Sequence, residues 1–313
     1  MKSNKLTAIV YSKEHVKFFL SDKPKVDRIY PLTPAAKSEL IDKVHMPFLD
    51  PLVYFNDYNH RKVVAKLRSY EKKLFPIINK TDVFSEVGKE TFINIFHPTI
   101  SATLYLWHLL QNTGPWIFHN GQRWIEIENR DEMFGYLFKY VVKERIGVFD
   151  EILEGKQKFS YLIRFINSII FKIFKKREFI WTTGLNYGLR SLVENLYKYQ
   201  SNIVIFYYEF ADKLSVLRSI KSLLFCLFFI KNYHAIPIVP IRLKNIKMSK
   251  KIREILETVL DKDFARIINE LTDFISWSVE YSESLVDYTM EIFNNYNPKF
   301  LLAHQLRLSD AAV

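Results

Sequence analysis

The sequence predicts an α/β fold: three layers built around a mainly parallel sheet. Two observations carry this. Short apolar runs alternate with helical patterns through the second half of the chain: Phe179-Ile180-Trp181, Ile203 to Tyr208, Ile236 to Ile241 and Phe300 to Ala303 are separated by helical stretches over 188–199, 211–231 and 250–294. That alternation is the signature of βαβ units. The runs are also continuously apolar, as in strands covered by helices on both faces.

The earlier elements follow the same rules. Leu6 to Tyr11 reads as a first strand and Arg28-Ile29-Tyr30 as a short second one. In "LTPAAKSELIDK", Thr33 is placed to cap a helix whose first position is Pro34; proline fits there because the missing N–H would be unpaired anyway. Helical patterns run from Tyr54 to Ile78 and from Ser85 to Leu110, the second with an expected break at His97-Pro98. "PWIFHNGQRWIEIE" is a hairpin, two apolar segments around the turn dipeptide Asn120-Gly121. Helical patterns return over 131–145 and 159–174. The sequence therefore predicts one domain over 1–313, with a large helical insertion at about 45–175 between the second strand and the later ones.

Composition bounds the partners. Apolar residues make up 49% and charged residues 25%, enough to bury a sizeable core. The single cysteine, Cys226, rules out an internal disulfide and a cysteine-based zinc site. The first residues show no signal-peptide pattern, and the longest uncharged apolar run, Leu223 to Ile230, falls short of the roughly 20 residues of a membrane span. The expected location is cytoplasmic. The net charge of +11 favours anionic partners such as lipid, nucleic acid or phosphorylated substrates, or else serves solubility alone. Nucleic acid is not expected: basic residues are spread along the chain, and no zinc-finger, RRM or helix-turn-helix signature appears.

Two helical segments invite opposite readings. "KQKFSYLIRFINSIIFKIFKKR" (156–177) sets Phe159, Leu162, Ile163, Ile166, Ile170, Ile173 and Phe174 on one side and carries seven basic residues with no acid. It can lie on an anionic membrane surface, or pack in the core with a solvated basic face. "LSVLRSIKSLLFCLFFI" (214–230) reads as a buried packing helix.

Ligands of open parallel sheets bind beyond the carboxyl ends of the strands. Three such ends carry chemistry. After the strand at 179–181, "WTTGLNYGLR" offers Thr182, Thr183 and Gly184, then a helix start at Asn186 to Gly188 with Arg190 nearby. Free N–H groups there suit a phosphate or carboxylate, although the stretch is neither GxGxxG nor a P-loop and also fits a plain capped turn. Glu209 follows the strand at 203–208; it is a candidate general base, a helix cap or a lysine partner. His304 follows the last strand, with Gln305 and Arg307. The histidine can take a proton near neutral pH and the arginine can grip a phosphate, or both can belong to a packed loop. His97 is a third candidate base if the break at Pro98 opens it to a cleft. No metal-binding signature is present, and neither a metal nor a cofactor is expected.

The strand "LTAIVYS", the phrases "IYPLTP" and "TTGLNYGL", the helical insertion and the terminal "FLLAHQLRLSDAAV" together resemble the N-terminal part of bacterial surface-carbohydrate (O-antigen or capsule) biosynthesis transferases, similar in layout to GT-B glycosyltransferases. The resemblance implies a Rossmann-like acceptor-side domain, with a donor-side domain expected beyond Val313. It implies metal-independent sugar transfer from a nucleotide-sugar to a glycan or lipid-linked acceptor, with His304, Glu209 or His97 as base, at the inner face of the membrane as a peripheral protein. Two other classes compete with it. One is a basic binding module that docks on anionic membrane or a protein partner without chemistry. The other is a nucleotide hydrolase using the Thr183-Gly184 turn.

Overall fold

In the computed structural model the strands form two four-stranded sheets rather than one. The structure describes residues 5–48, 57–112, 114–174, 180–183, 191–192, 195–196, 203–208, 213–229, 233–239, 241, 245–295 and 300–302. The chain is mixed α/β and mostly helical, and it divides into two compact units.

The first unit comprises residues 1–77, 96–141 and 257–268. Its sheet holds β1 (Thr7–Val10), β2 (Arg28–Pro31), β3 (Trp116–His119) and β4 (Trp124–Ile127), in the order β2-β1-β3-β4. The first three strands are parallel and β4 is antiparallel to β3. The hairpin turn forms as the sequence predicts: Gly121 takes a positive φ of 96°, and Asn120 Oδ1 accepts from the N–H groups of Gln122 and Arg123 at 3.0 Å each.

Helix α1 (Lys13–Asp22) starts at Ser12, whose Oγ accepts from the N–H of His15 at 3.3 Å. Helix α2 (Pro34–Leu40) starts at Thr33, whose Oγ1 accepts from Ala36 N at 3.1 Å and donates to Tyr11 O at 2.8 Å. One hydroxyl thus caps a helix and ties it to the end of β1. The core of this region joins Ala8, Val10, Val16, Phe19, Ile29 and Leu40.

The hairpin overturns the expected insertion. Trp116, Ile117 and Phe118 are buried, and β3 takes the open edge of β1 in the register Thr7↔Trp116. The strands after residue 179 therefore build a sheet of their own. The expected break at His97-Pro98 is also absent: α4 (Glu86–Asn112) is continuous through Pro98, as α3 (Asp57–Asn79) is through Pro76. Pro98 lacks the N–H that would reach the carbonyl of Asn94, but Asn94, His97 and Pro98 all lie on the exposed face. The unbonded carbonyl is on the side open to solvent, while buried Ile95, Phe96 and Ile100 hold the helix from the other side.

The second unit comprises residues 78–95, 142–256 and 269–313. Its sheet holds β5 (Ile180–Thr183), β6 (Ile203–Tyr208), β7 (Tyr233–Ile238) and β8 (Phe300–Leu302), in the order β7-β6-β5-β8 and parallel throughout. Pro237 sits in β7, an edge strand, where a residue without an N–H is tolerated. The helices are the end of α5 (Arg130–Phe174), α6 (Lys213–Leu224) with a π-helical continuation over Phe225–Phe229, α7 (Ile246–Val259) and α8 (Ile268–Asn295). Ile163, Ile166 and Ile170 of α5 meet Val204, Ile236 and Ile238 of the sheet and Trp277, Tyr281 and Ile292 of α8 in one core.

Of the two helical segments, the first takes the core reading and the second is not the buried packing helix expected. In the segment 156–174, Ile163, Ile166, Ile170 and Phe171 are buried in this core, while Tyr161, Leu162 and Phe165 are exposed. The segment 214–229 instead buries Ser215, Val216, Ser219, Ser222 and Cys226, packs Leu223 against the core, and leaves Leu214, Leu217, Leu224 and Leu227 exposed. Among the described residues no helix is long and apolar enough to cross a membrane.

Candidate functional site

Because all four strands of the second sheet are parallel, their carboxyl ends lie along one rim. Next to the end of β7 on that rim lies a groove of about 800 Å³. It is built by clamping the segment after β7 from two sides.

From α5, Asn167 donates through Nδ2 to Pro237 O at 2.9 Å, and Arg164 donates through Nε to Val239 O at 3.2 Å. From α8, Ser284 Oγ donates to Ile241 O at 2.6 Å and accepts from Ile241 N at 3.2 Å. Glu280 Oε1 accepts from Asn245 N at 2.9 Å, and the Asn245 side chain in turn caps α7 by accepting from Met248 N at 3.1 Å. These hydrogen bonds hold Pro237, Val239, Ile241 and Asn245, described residues from the end of β7 to the start of α7, and the groove opens beside them.

The walls are chemically distinctive. Glu280, Glu283, Asp287 and Glu291 line the groove from α8, and among the described lining residues the cations are Arg164 and Lys247. Their spacing of three or four residues places all four on one helical face. Two of them have structural duties as well. Glu280 holds Asn245, and Glu283 Oε1 accepts from Ser85 N at 2.9 Å and Ser85 Oγ at 2.7 Å, at the start of α4. Gly88 allows that approach, since a methyl group on it would collide with Glu283 Oε1. Asp287 and Glu291 are exposed in the groove. The Arg164 guanidinium stacks on Tyr288, 3.9 Å from the ring centroid. Burial lowers the pKa of Arg164, while Tyr288, Glu291, Tyr161 and Asp287 pull it the other way.

Carboxylates beside two tyrosine rings accept hydrogen bonds from hydroxyl groups and can take a proton from one of them. The same set repels a diphosphate. Among the described residues no group of three or more His, Cys, Asp or Glu side chains is placed to hold a metal ion.

The residues predicted from sequence fall unevenly on this geometry. Thr182 and Thr183 close β5, with Thr182 opposite Leu302 of β8 and Ile205 of β6. The carboxyl ends of β5 and β8 therefore lie side by side. Gly184, Asn186, Gly188, Arg190, Glu209, His304, Gln305 and Arg307 lie outside the described residues. His97 belongs to the first unit; it is exposed on α4, and its Nδ1 lies 2.5 Å from Glu71 Oε1. The groove residues were missed altogether. Their signal was present in "EYSESLVDYTME": four acids on one face of a long helix, in a chain with an excess of cations.

Compared with protein-family models, curated proteins and solved structures, the chain matches none.

Proposed function

We propose that the chain is a glycosyl transferase of GT-B-like layout, and that the groove on α8 receives a hydroxyl-rich substrate. The groove itself carries this reading: carboxylates gathered beside Tyr161 and Tyr288 at the carboxyl rim of a parallel sheet. Support also comes from the sheets. GT-B enzymes use two α/β domains, and this chain folds into two α/β units, each with a mostly parallel sheet. In the second, the order β7-β6-β5-β8 corresponds to 3-2-1-4, the beginning of the doubly wound Rossmann arrangement.

The chemistry divides along the rim. The donor diphosphate suits the end of β5, where the sequence after Thr182 and Thr183 predicts a helix start whose backbone N–H groups can receive a phosphate. The end of β5 is two strand spacings from the end of β7, roughly 10 Å. Sugar and ribose hydroxyls suit the groove. In the transfer step an acceptor hydroxyl attacks the anomeric carbon, the bond from that carbon to the diphosphate oxygen breaks, and the hydroxyl proton passes to a carboxylate. Asp287 and Glu291 join Glu209 and His304 as candidates for that base.

Saturation-transfer NMR with nucleotide-sugars and neutral oligosaccharides tests the reading. Magnetisation should pass to sugar-ring protons, and Asp287→Asn with Glu291→Gln should weaken binding about tenfold, the effect of one or two charge-assisted hydrogen bonds. Wild-type protein that binds no member of either panel would remove it.

A further inference from the structure

The exposed face of α6 and its π-helical continuation is an interaction surface that the groove does not use. Leu214, Leu217, Ile220, Leu224, Leu227 and Phe228 are all exposed, Leu217 by 60% and Phe228 by 72%. They follow one another at helical spacing and form a stripe about 21 Å long at 1.5 Å per residue. The opposite face, turned to the core, carries Ser215, Ser219 and Ser222. A helix that shows its leucines to solvent and its serines to the core is arranged to meet something apolar.

The charges identify the partner. Lys213, Arg218 and Lys221 are exposed along the same segment, and residues 213–229 contain no acid. A second copy of the chain, related by a two-fold axis, would bring this patch against itself and set those lysines against their counterparts. An anionic bilayer matches both features: its headgroups pair with the cations and its acyl boundary takes up the leucines.

We propose that α6 and its continuation, Lys213 to Phe229, lie in the interface of an anionic lipid membrane and anchor the protein there peripherally. The segment is too short and too charged to span. Long lysine side chains reach the headgroups while their stems cover apolar surface. This proposal is independent of the transferase reading, because lipid binding requires no sugar chemistry.

Flotation of the full-length chain with vesicles tests it. The chain should float with phosphatidylcholine vesicles containing 30% phosphatidylglycerol, and at least about tenfold less with pure phosphatidylcholine or in 0.5 M NaCl, as screening removes the headgroup attraction. Leu217→Glu with Leu224→Glu should lower the bound fraction on anionic vesicles at least about tenfold. Met290→Glu, at an exposed methionine on α8, should leave it unchanged. Equal thermal unfolding of the variants confirms that they fold; if the double variant fails to fold, the lipid and salt comparisons on wild type decide. Wild type that does not float on anionic vesicles overturns the proposal. So does a folded double variant that floats as well as wild type, or a self-associated wild type that the double variant dissociates while neither floats.

Discussion

Two helices of the second unit make a natural pair. The end of α5 and the whole of α6 are amphipathic, rich in cations and poor in acids, and they differ in which face the core receives. In α5 the core receives Ile163, Ile166, Ile170 and Phe171, all buried, while Lys158 and Lys172 stay exposed. In α6 it receives three serines, one valine, the half-buried Leu223 and, just past the helix, Cys226. A hydrophobic stripe thus states that a helix has an apolar partner without stating that the partner is its own chain. For α5 the partner is the sheet β5–β8 and α8. For α6 the stripe is left over, and the small serines let the helix sit close to the sheet instead.

The sharpest way to break this comparison is to hollow out both helices. Ile170→Ala in α5 removes a fully buried side chain. It should cost about 2–5 kcal/mol, the range for aliphatic-to-alanine changes in packed cores. Urea unfolding would record it as a lower midpoint. An effect below about 1 kcal/mol would mean that this face of α5 is not part of the core.

Asn167 comes next. It is fully buried on the same helix; Nδ2 donates to Pro237 O and lies 3.4 Å from Tyr288 Oη, and its Oδ1 has no partner among the described residues. It is a polar residue in an apolar row because the edge strand β7 offers its carbonyl there. Asn167→Ala strands that carbonyl and should cost about 1–3 kcal/mol. It should also loosen the segment after β7, which amide hydrogen exchange at Val239 and Ile241 would detect as lost protection.

The same residues explain what was legible in the sequence. The Thr33-Pro34 helix start and the Asn120-Gly121 hairpin were readable because their causes are local: a hydroxyl, a proline ring, a glycine with positive φ. The four late strands were readable from their apolar runs to within a few residues. The division into two sheets was not, because the pairing of Thr7 with Trp116 closes a loop of more than a hundred residues, and no local signal marks it. The placement of α6 was misread for a related reason. Periodicity identifies a face but not its neighbour, and the serines at 215, 219 and 222 were the overlooked clue. The acidic groove was missed because attention went to residues directly after strands, whereas its carboxylates come from the side of a long helix that packs beside the rim.

Ser219 sharpens the comparison further, with the opposite sign. It is fully buried, and its Oγ has no hydrogen-bond partner among the described residues. Ser219→Ala removes an unsatisfied hydroxyl and substitutes a better helix former. It should stabilise the chain by about 0.5–1 kcal/mol in the same urea experiment. A loss of stability would mean that the hydroxyl has a partner and that the serine face is held by hydrogen bonds rather than by close packing.

The smallest expected effect decides most about α6. Leu217→Ala deletes three carbons from a helix, as Ile170→Ala does, yet in solution it should change stability by no more than about 0.5 kcal/mol, the usual range for surface positions. The contrast with Ile170 is the prediction: two aliphatic side chains on two amphipathic helices, differing severalfold in cost because only one is covered. Anionic vesicles should then remove the contrast, since a membrane that covers Leu217 makes its loss felt as weaker flotation. If Leu217→Ala instead costs 2 kcal/mol or more without lipid, the stripe is already covered in the free protein, and α6 is an ordinary core helix after all.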